Sequence, residues 1–543
     1  MKKVLFLTYF LIVRHFLPAQ DFTAMDSLRG GWHAGRSSFD LLHYHLKLKV
    51  IPETRFIQGS NRWTCKALAS SGFLQVDLHP DLEITGIESS GGAAKWSRSG
   101  SSVRVDLPFR MLPGKTFWIE IRYKGQPAVA QNPPWEGGFV WSADEEGKPW
   151  IGVACEGDGA SLWYPAKDHP ADEADSALLE YEVPQPLVAV GNGRFLGMEP
   201  YGDSTAVYRY RLSYPVNHYN ITFNAGNFRS WTDSMKLPES GELLPMSFYV
   251  LPEKYEEAKQ HWAKEAKKAI RGLSELFGDY PFVRDGYRLV HTPYLGMEHQ
   301  SCISYGDEFL NNAYGFDFII VHETAHEWWG NQLSSDDHAD FWLHESFATY
   351  AEALLVEKWL GKEKALQYLA EQKEKIKNRS PMAGKRGVYF NNWKDSDVYY
   401  KGSWMLHSMR YELNNDSLWF DFLKKIGRET GFKPLSAEEF INLCSRKLGK
   451  DFRAFLQFYT QSTRIPCLQY SFNKALQQFE FQWVWPPEGF PYSVPVLADG
   501  NLIRLQPDLS ASLYKPARAG EAIRISAADQ LFLYRLQEQD RRK

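Results

Sequence analysis

The chain has 543 residues, more than one hydrophobic core can serve, so several domains are expected. Hydrophobic residues make up 44% of it, which excludes a disordered chain. A formal net charge of -4 excludes the global basic field of a nucleic-acid binder.

Lys2 and Lys3 precede an apolar run from Val4 to Val13, followed by Pro18-Ala19-Gln20. The run is shorter than the roughly 20 apolar residues a spanning helix needs. A basic start, a short apolar stretch and a small residue predict a secretory signal over residues 1–20, with a buried first helix as the alternative. The expected location is therefore exported, either periplasmic or secreted. No later segment is long and apolar enough to span a membrane.

From about residue 40 to 230 the pattern has period two. Tyr44, Leu46, Leu48 and Val50 alternate with polar residues, as do Val103, Val105 and Leu107, the segment Trp118-Ile119-Glu120-Ile121, and Tyr219-Asn220-Ile221-Thr222-Phe223. Such runs predict half-buried antiparallel strands and a β-rich N-terminal domain over 21–235. Ala258, Trp262, Ala266, Ile270, Leu273 and Phe277 then fall at spacings of three and four, a long amphipathic helix that Gly278 and Pro281 stop. Helical patterns continue to about 463, placing a catalytic domain at 236–465. Alternation returns at Phe479, Phe481, Trp483 and Trp485, predicting a small C-terminal β-domain over 466–543. The expected class is multidomain α+β. The five cysteines contain no C-x-x-C pair, which argues against a thiolate zinc site or a redox motif.

The chemistry concentrates in His322-Glu323-Thr324-Ala325-His326. Two histidines four residues apart share one helix face, about 6 Å apart along its axis, so both imidazoles can reach one tetrahedral ion. Glu323 stays near that face and can act on water without being a ligand. A catalytic zinc site needs a third protein ligand and an open fourth position. Glu345 lies nineteen residues after His326, between Phe341-Trp342-Leu343 and Phe347-Ala348. A carboxylate in such apolar company must be neutral, paired or metal-bound.

His322-Glu323-x-x-His326, eighteen residues and then Glu345 resembles the gluzincin aminopeptidases, the family of aminopeptidase N and leukotriene hydrolase. Trp328-Trp329-Gly330-Asn331 and Phe341-Trp342-Leu343-x-Glu345 also look like that family. Leu295-Gly296-Met297-Glu298-His299 matches its Gly-x-Met-Glu-Asn exopeptidase motif in part; Leu295 replaces the first Gly and His299 the Asn. His344 stands where the family usually has Asn. The resemblance runs from about residue 38 to 463. It implies a β-rich N-terminal domain, a thermolysin-like zinc catalytic domain, one zinc per chain, and peptide substrates with a free N-terminus.

It also implies roles. Glu323 would be general base and acid. Tyr399, in Asp397-Val398-Tyr399-Tyr400-Lys401-Gly402, would contact the oxyanion. Glu298 and, from Ala154-Cys155-Glu156-Gly157, Glu156 would bind the α-amine. Gly296 would let a substrate backbone approach closely. The leading expectation is a zinc aminopeptidase. The alternatives are epoxide hydrolysis of the leukotriene-hydrolase kind, an endopeptidase, and a non-catalytic zinc-fold scaffold.

Overall fold

The structure, a computed structural model, describes residues 22–389, 396–485, 492–506, 512–514 and 523–539. The expected signal segment, residues 1–20, lies outside the described residues. Among the described residues no helix is long and apolar enough to cross a membrane.

The alternation around Tyr44 becomes strand Phe39–Ile51, which buries Tyr44, Leu46, Leu48 and Val50. It sits inside an eight-stranded sheet, antiparallel to Phe56–Ala67 on one side. On the other side it runs parallel to Ala177–Pro184, where an antiparallel neighbour was expected. Parallel pairing needs a long crossover, and the more than one hundred residues between these strands supply it. A second, four-stranded sheet joins Val188–Gly191, Phe223–Gly226, Pro149–Ala154 and Gly138–Ala143. Glu156 lies just beyond the end of Pro149–Ala154.

The segment read as a strand over 219–223 is different. His218–Asn220 is a short 3-10 turn, and the strand begins only at Phe223. The Asn217 side chain accepts from the Tyr219 backbone N–H at 3.4 Å, capping the turn. Tyr219, Ile221 and Phe223 are all buried, so the period-two pattern survives while the backbone does not follow it.

One strand runs across the expected 235/236 boundary. Strand Arg229–Lys236 pairs with Leu243–Val250 in a five-stranded sheet that continues through Tyr287–His291, Ile303–Tyr305 and Gly296–Met297. Helix Tyr255–Phe277 ends at Gly278, whose φ of 89° takes the chain out of the helix. It buries Trp262, Ala266, Ile270 and Leu273 in one apolar cluster with residues of this sheet.

The C-terminal strands pack against the catalytic helices. They form a four-stranded and a three-stranded sheet, too small to close a core alone. Phe479, Phe481, Phe532 and Tyr534 instead share one hydrophobic cluster with the catalytic helices. Tyr459, on helix Arg453–Gln461, donates to the Leu533 carbonyl at 2.6 Å.

The N-terminal and catalytic regions meet through buried polar contacts. The Ser334 hydroxyl donates to Glu173 Oε1 at 2.6 Å. Burial pushes the Glu173 carboxyl up to about 8. A carboxyl whose folded pKa lies above its unfolded value of about 4.3 holds its proton more tightly when folded. Its contribution is complete at low pH and is lost as pH rises toward 8. Glu173→Gln should therefore melt higher than the wild type at pH 9 but not at pH 5, a difference on the order of a few kcal/mol. Thermal melts at both values check this; an equal difference at both would show that the carboxyl does not titrate in this window.

Candidate zinc centre and substrate cleft

Helix Phe318–Ala325 is started by Asp317, whose carboxylate accepts from the Ile320 N–H at 3.0 Å. Ile319, Ile320 and Val321 bury its apolar side, and His322 stands in its last turn. The regular helix is only eight residues long and ends before His326. His326 keeps helical angles, φ -63° and ψ -20°, so the four-residue offset still brings both imidazoles to one side. Helix Trp342–Leu360 carries Glu345 in its first turn.

The three side chains converge. His322 Nε2 and His326 Nε2 are 3.3 Å apart, and each lies 3.4 Å from Glu345 Oε2. A tetrahedral zinc with bonds near 2.0–2.1 Å separates its ligand atoms by about 3.3–3.4 Å, so the triangle matches a zinc ion's donor set. The other ring nitrogens are already engaged. His322 Nδ1 donates to Glu352 Oε1 at 2.7 Å, and His326 Nδ1 to the Trp329 carbonyl at 2.9 Å. These partners fix the tautomers and aim both Nε2 lone pairs at the common point. All three ligand residues are buried. Burial raises the Glu345 carboxyl, but His326 and His322 beside it overcome that and hold it below the usual carboxylate range.

Glu323 faces the same space. Burial pushes its carboxyl up to about 8 although His322 and His326 pull it down, so it can take up and release a proton near neutrality. The Cβ that Gly296 lacks would stand 2.6 Å from Glu323 Oε1 and 2.9 Å from Ile319 Cγ2. Gly296 thus makes room for the Glu323 carboxylate.

Tyr399 and Tyr400 both line the cleft, but their surroundings differ. The Tyr399 ring lies 6.0 Å from that of His322. Burial, then Glu345, Glu156 and Glu298, push its hydroxyl well above its ordinary pKa, which keeps it a hydrogen-bond donor. Tyr400 is turned toward Lys375, whose ammonium donates to its hydroxyl at 3.4 Å.

Glu298, Glu156 and Gly296 line one cavity of about 500 Å³ with the three ligand residues and Glu323. Among the described lining residues there is no Lys or Arg. Glu156 Oε1 is buried without a hydrogen-bond partner among the described residues. Burial, Glu298, Glu345 and Glu323 all push the Glu156 carboxyl well up. Asn132, Pro134 and Trp135 from the N-terminal domain close the cavity's rim.

Several contributors escaped the sequence reading. Glu352 follows Glu345 by seven residues, two helical turns, and so shares its face; that spacing was a usable signal. Tyr368 donates to Glu352 Oε2 at 2.5 Å and secures it. Tyr219 donates to Glu298 Oε1 at 3.0 Å from the turn mistaken for a strand. Of the three departures from the family pattern, Leu295 lines the cleft, His299 is fully buried with Nδ1 3.1 Å from Ser304 Oγ, and His344 accepts from the Ser335 N–H at 3.0 Å.

Residues 274–459 match the peptidase family M1 domain. Leukotriene A-4 hydrolase of Xenopus laevis is 24% identical over 75% of this chain and 68% of its own length. Aminopeptidase B of Rattus norvegicus is 23% identical over 94% of this chain and 79% of its own. Among solved structures, an M1 zinc metallopeptidase from Deinococcus radiodurans superposes with a TM-score of 0.67 at 23% identity, covering 79% of this chain and 95% of that one. With the converging His-His-Glu set, these likenesses identify residues 274–459 as a peptidase family M1 domain.

Proposed function

We propose that this chain is a zinc-dependent aminopeptidase that removes N-terminal residues from peptides, with one zinc held by His322, His326 and Glu345. The observation that carries the exopeptidase part is the buried, unpartnered Glu156 carboxylate oxygen in the same cavity as Glu298. A buried carboxylate left unpaired is costly, and a substrate ammonium supplies the missing donor and charge.

Bound zinc would supply Lewis acidity, activating water and polarising the scissile carbonyl. The chain's residues do the rest. Glu323 takes the proton from the attacking water and returns it to the leaving amine. The Tyr399 hydroxyl donates to the oxyanion as charge develops there. Glu298 and Glu156 hold the α-ammonium, which sets the distance from the chain end to the reacting carbonyl.

The test compares amino-acid anilides with their N-acetylated equivalents. The free amine should be strongly preferred. Glu298→Ala should lower kcat/KM for free-amine substrates by about tenfold to a thousandfold with zinc retained, and should shrink the acetylation penalty. A penalty unchanged in the variant would mean that Glu298 does not read the amine. Comparable cleavage of blocked and free substrates by the wild type would overturn the exopeptidase reading itself.

The same reading places the enzyme outside the cytoplasm, periplasmic or secreted. Lys2, Lys3 and the following short apolar run support it. N-terminal sequencing of the mature protein tests it; an intact Met1 would count against export by signal cleavage.

A further inference from the structure

The geometry points to Tyr219 as a positioning residue for the amine-binding carboxylate Glu298, with His344 setting the direction of its hydroxyl. The inference rests on the aminopeptidase reading above and goes beyond it, because it makes recognition of the substrate's end depend on a turn of the N-terminal domain.

Three contacts form a directed chain. The Ser335 backbone N–H donates to His344 Nε2 at 3.0 Å. A ring nitrogen that accepts a hydrogen bond carries no proton, so the proton of the neutral imidazole sits on Nδ1. Nδ1 faces the Tyr219 hydroxyl oxygen at 3.5 Å, a long contact whose polarity is nonetheless set. An N–H pointing at the phenol oxygen leaves the phenol proton to be given elsewhere. It goes to Glu298 Oε1, 3.0 Å away. All three side chains are buried, so water does not compete for these directions.

The Glu298 backbone is held from the same turn. Asn331 Nδ2 donates to the Glu298 carbonyl at 3.0 Å, and Asn220 Nδ2 donates to Asn331 Oδ1 at 2.6 Å. Tyr219 and Asn220 are consecutive in the 3-10 turn His218–Asn220. The N-terminal domain therefore fixes both the carboxylate and the peptide unit of a catalytic-domain residue. Neither Tyr219 nor His344 lines the cleft, so neither touches substrate; they act through Glu298.

The experiment uses the zinc-loaded full chain and two product-like inhibitors, L-leucine and 4-methylpentanoate, which share a carbon skeleton and differ in the amine. Tyr219→Phe removes one oxygen and keeps the ring. It should weaken L-leucine by about tenfold or more and raise KM for a free-amine anilide to match, since the lost hydrogen bond is to a charged group. Inhibition by 4-methylpentanoate, kcat and zinc content should stay within about threefold of wild type. His344→Ala should shift the same ratio in the same direction. The double variant should be no worse than Tyr219→Phe alone, because His344 acts only through Tyr219.

Equal discrimination by wild type and Tyr219→Phe would overturn the proposal and leave the aminopeptidase reading standing. A wild type that does not distinguish the two inhibitors would overturn both. A Tyr219→Phe variant that loses zinc, or loses kcat with an unchanged inhibitor ratio, would assign Tyr219 a merely structural role. Additive effects of the two substitutions would remove His344 from the chain.

Discussion

Glu323→Gln should keep zinc at the wild-type level and lower kcat by about a hundredfold to ten-thousandfold. The amide has the shape of the carboxylate, so it fits the slot that the missing Gly296 side chain leaves beside it. It cannot accept the proton of the attacking water. The amide keeps the shape that the slot accepts, so the variant should melt close to the wild type. Elemental analysis, steady-state kinetics on the best anilide and a thermal melt settle the three parts. A kcat within about threefold of wild type would remove Glu323 from the mechanism.

The second large effect is on the metal itself. A His322→Ala/His326→Ala double variant, purified without added metal, should contain almost no zinc. It should also lose stability, on the order of several kcal/mol, because two buried carboxylates lose their partners. Glu345 loses both neighbouring imidazoles, and Glu352 loses the Nδ1 donor 2.7 Å away. Near-stoichiometric zinc in this variant would sink the ligand assignment. Retained stability without zinc would show that Glu345 and Glu352 find water or a proton instead.

How much of this was readable beforehand depended on the range of the information. The His-x-x-x-His spacing needs only helical geometry within one turn, and the structure shows the two Nε2 atoms 3.3 Å apart even though the regular helix stops at Ala325. Glu345 was legible because a carboxylate among Trp342, Leu343 and Phe347 demands a partner. Long-range facts were not legible. Alternation at Tyr219, Ile221 and Phe223 reports burial, and a 3-10 turn buried at a domain junction produces the same pattern as a strand. Sheet membership was hidden for a related reason: whether Arg229–Lys236 belongs to one sheet or another is decided by its partner Leu243–Val250, not by its composition. That Gly296 makes room for Glu323 was equally hidden, because what fills the space beside a glycine comes from elsewhere in the chain.

The shared core of the catalytic helices and the terminal strands has a consequence for how the molecule comes into being. Synthesis delivers the N-terminal sheets first, and among the described residues their core draws on only three later ones, Tyr294, Met297 and the partly buried Phe341. The helices that bear the metal ligands have no such independence, since Phe479, Phe481, Phe532 and Tyr534 arrive after all of them. A nascent chain that has already emitted His322, His326 and Glu345 still lacks part of the apolar packing behind them. The helices that bear the metal ligands therefore reach their full apolar packing only once the terminal strands have been made.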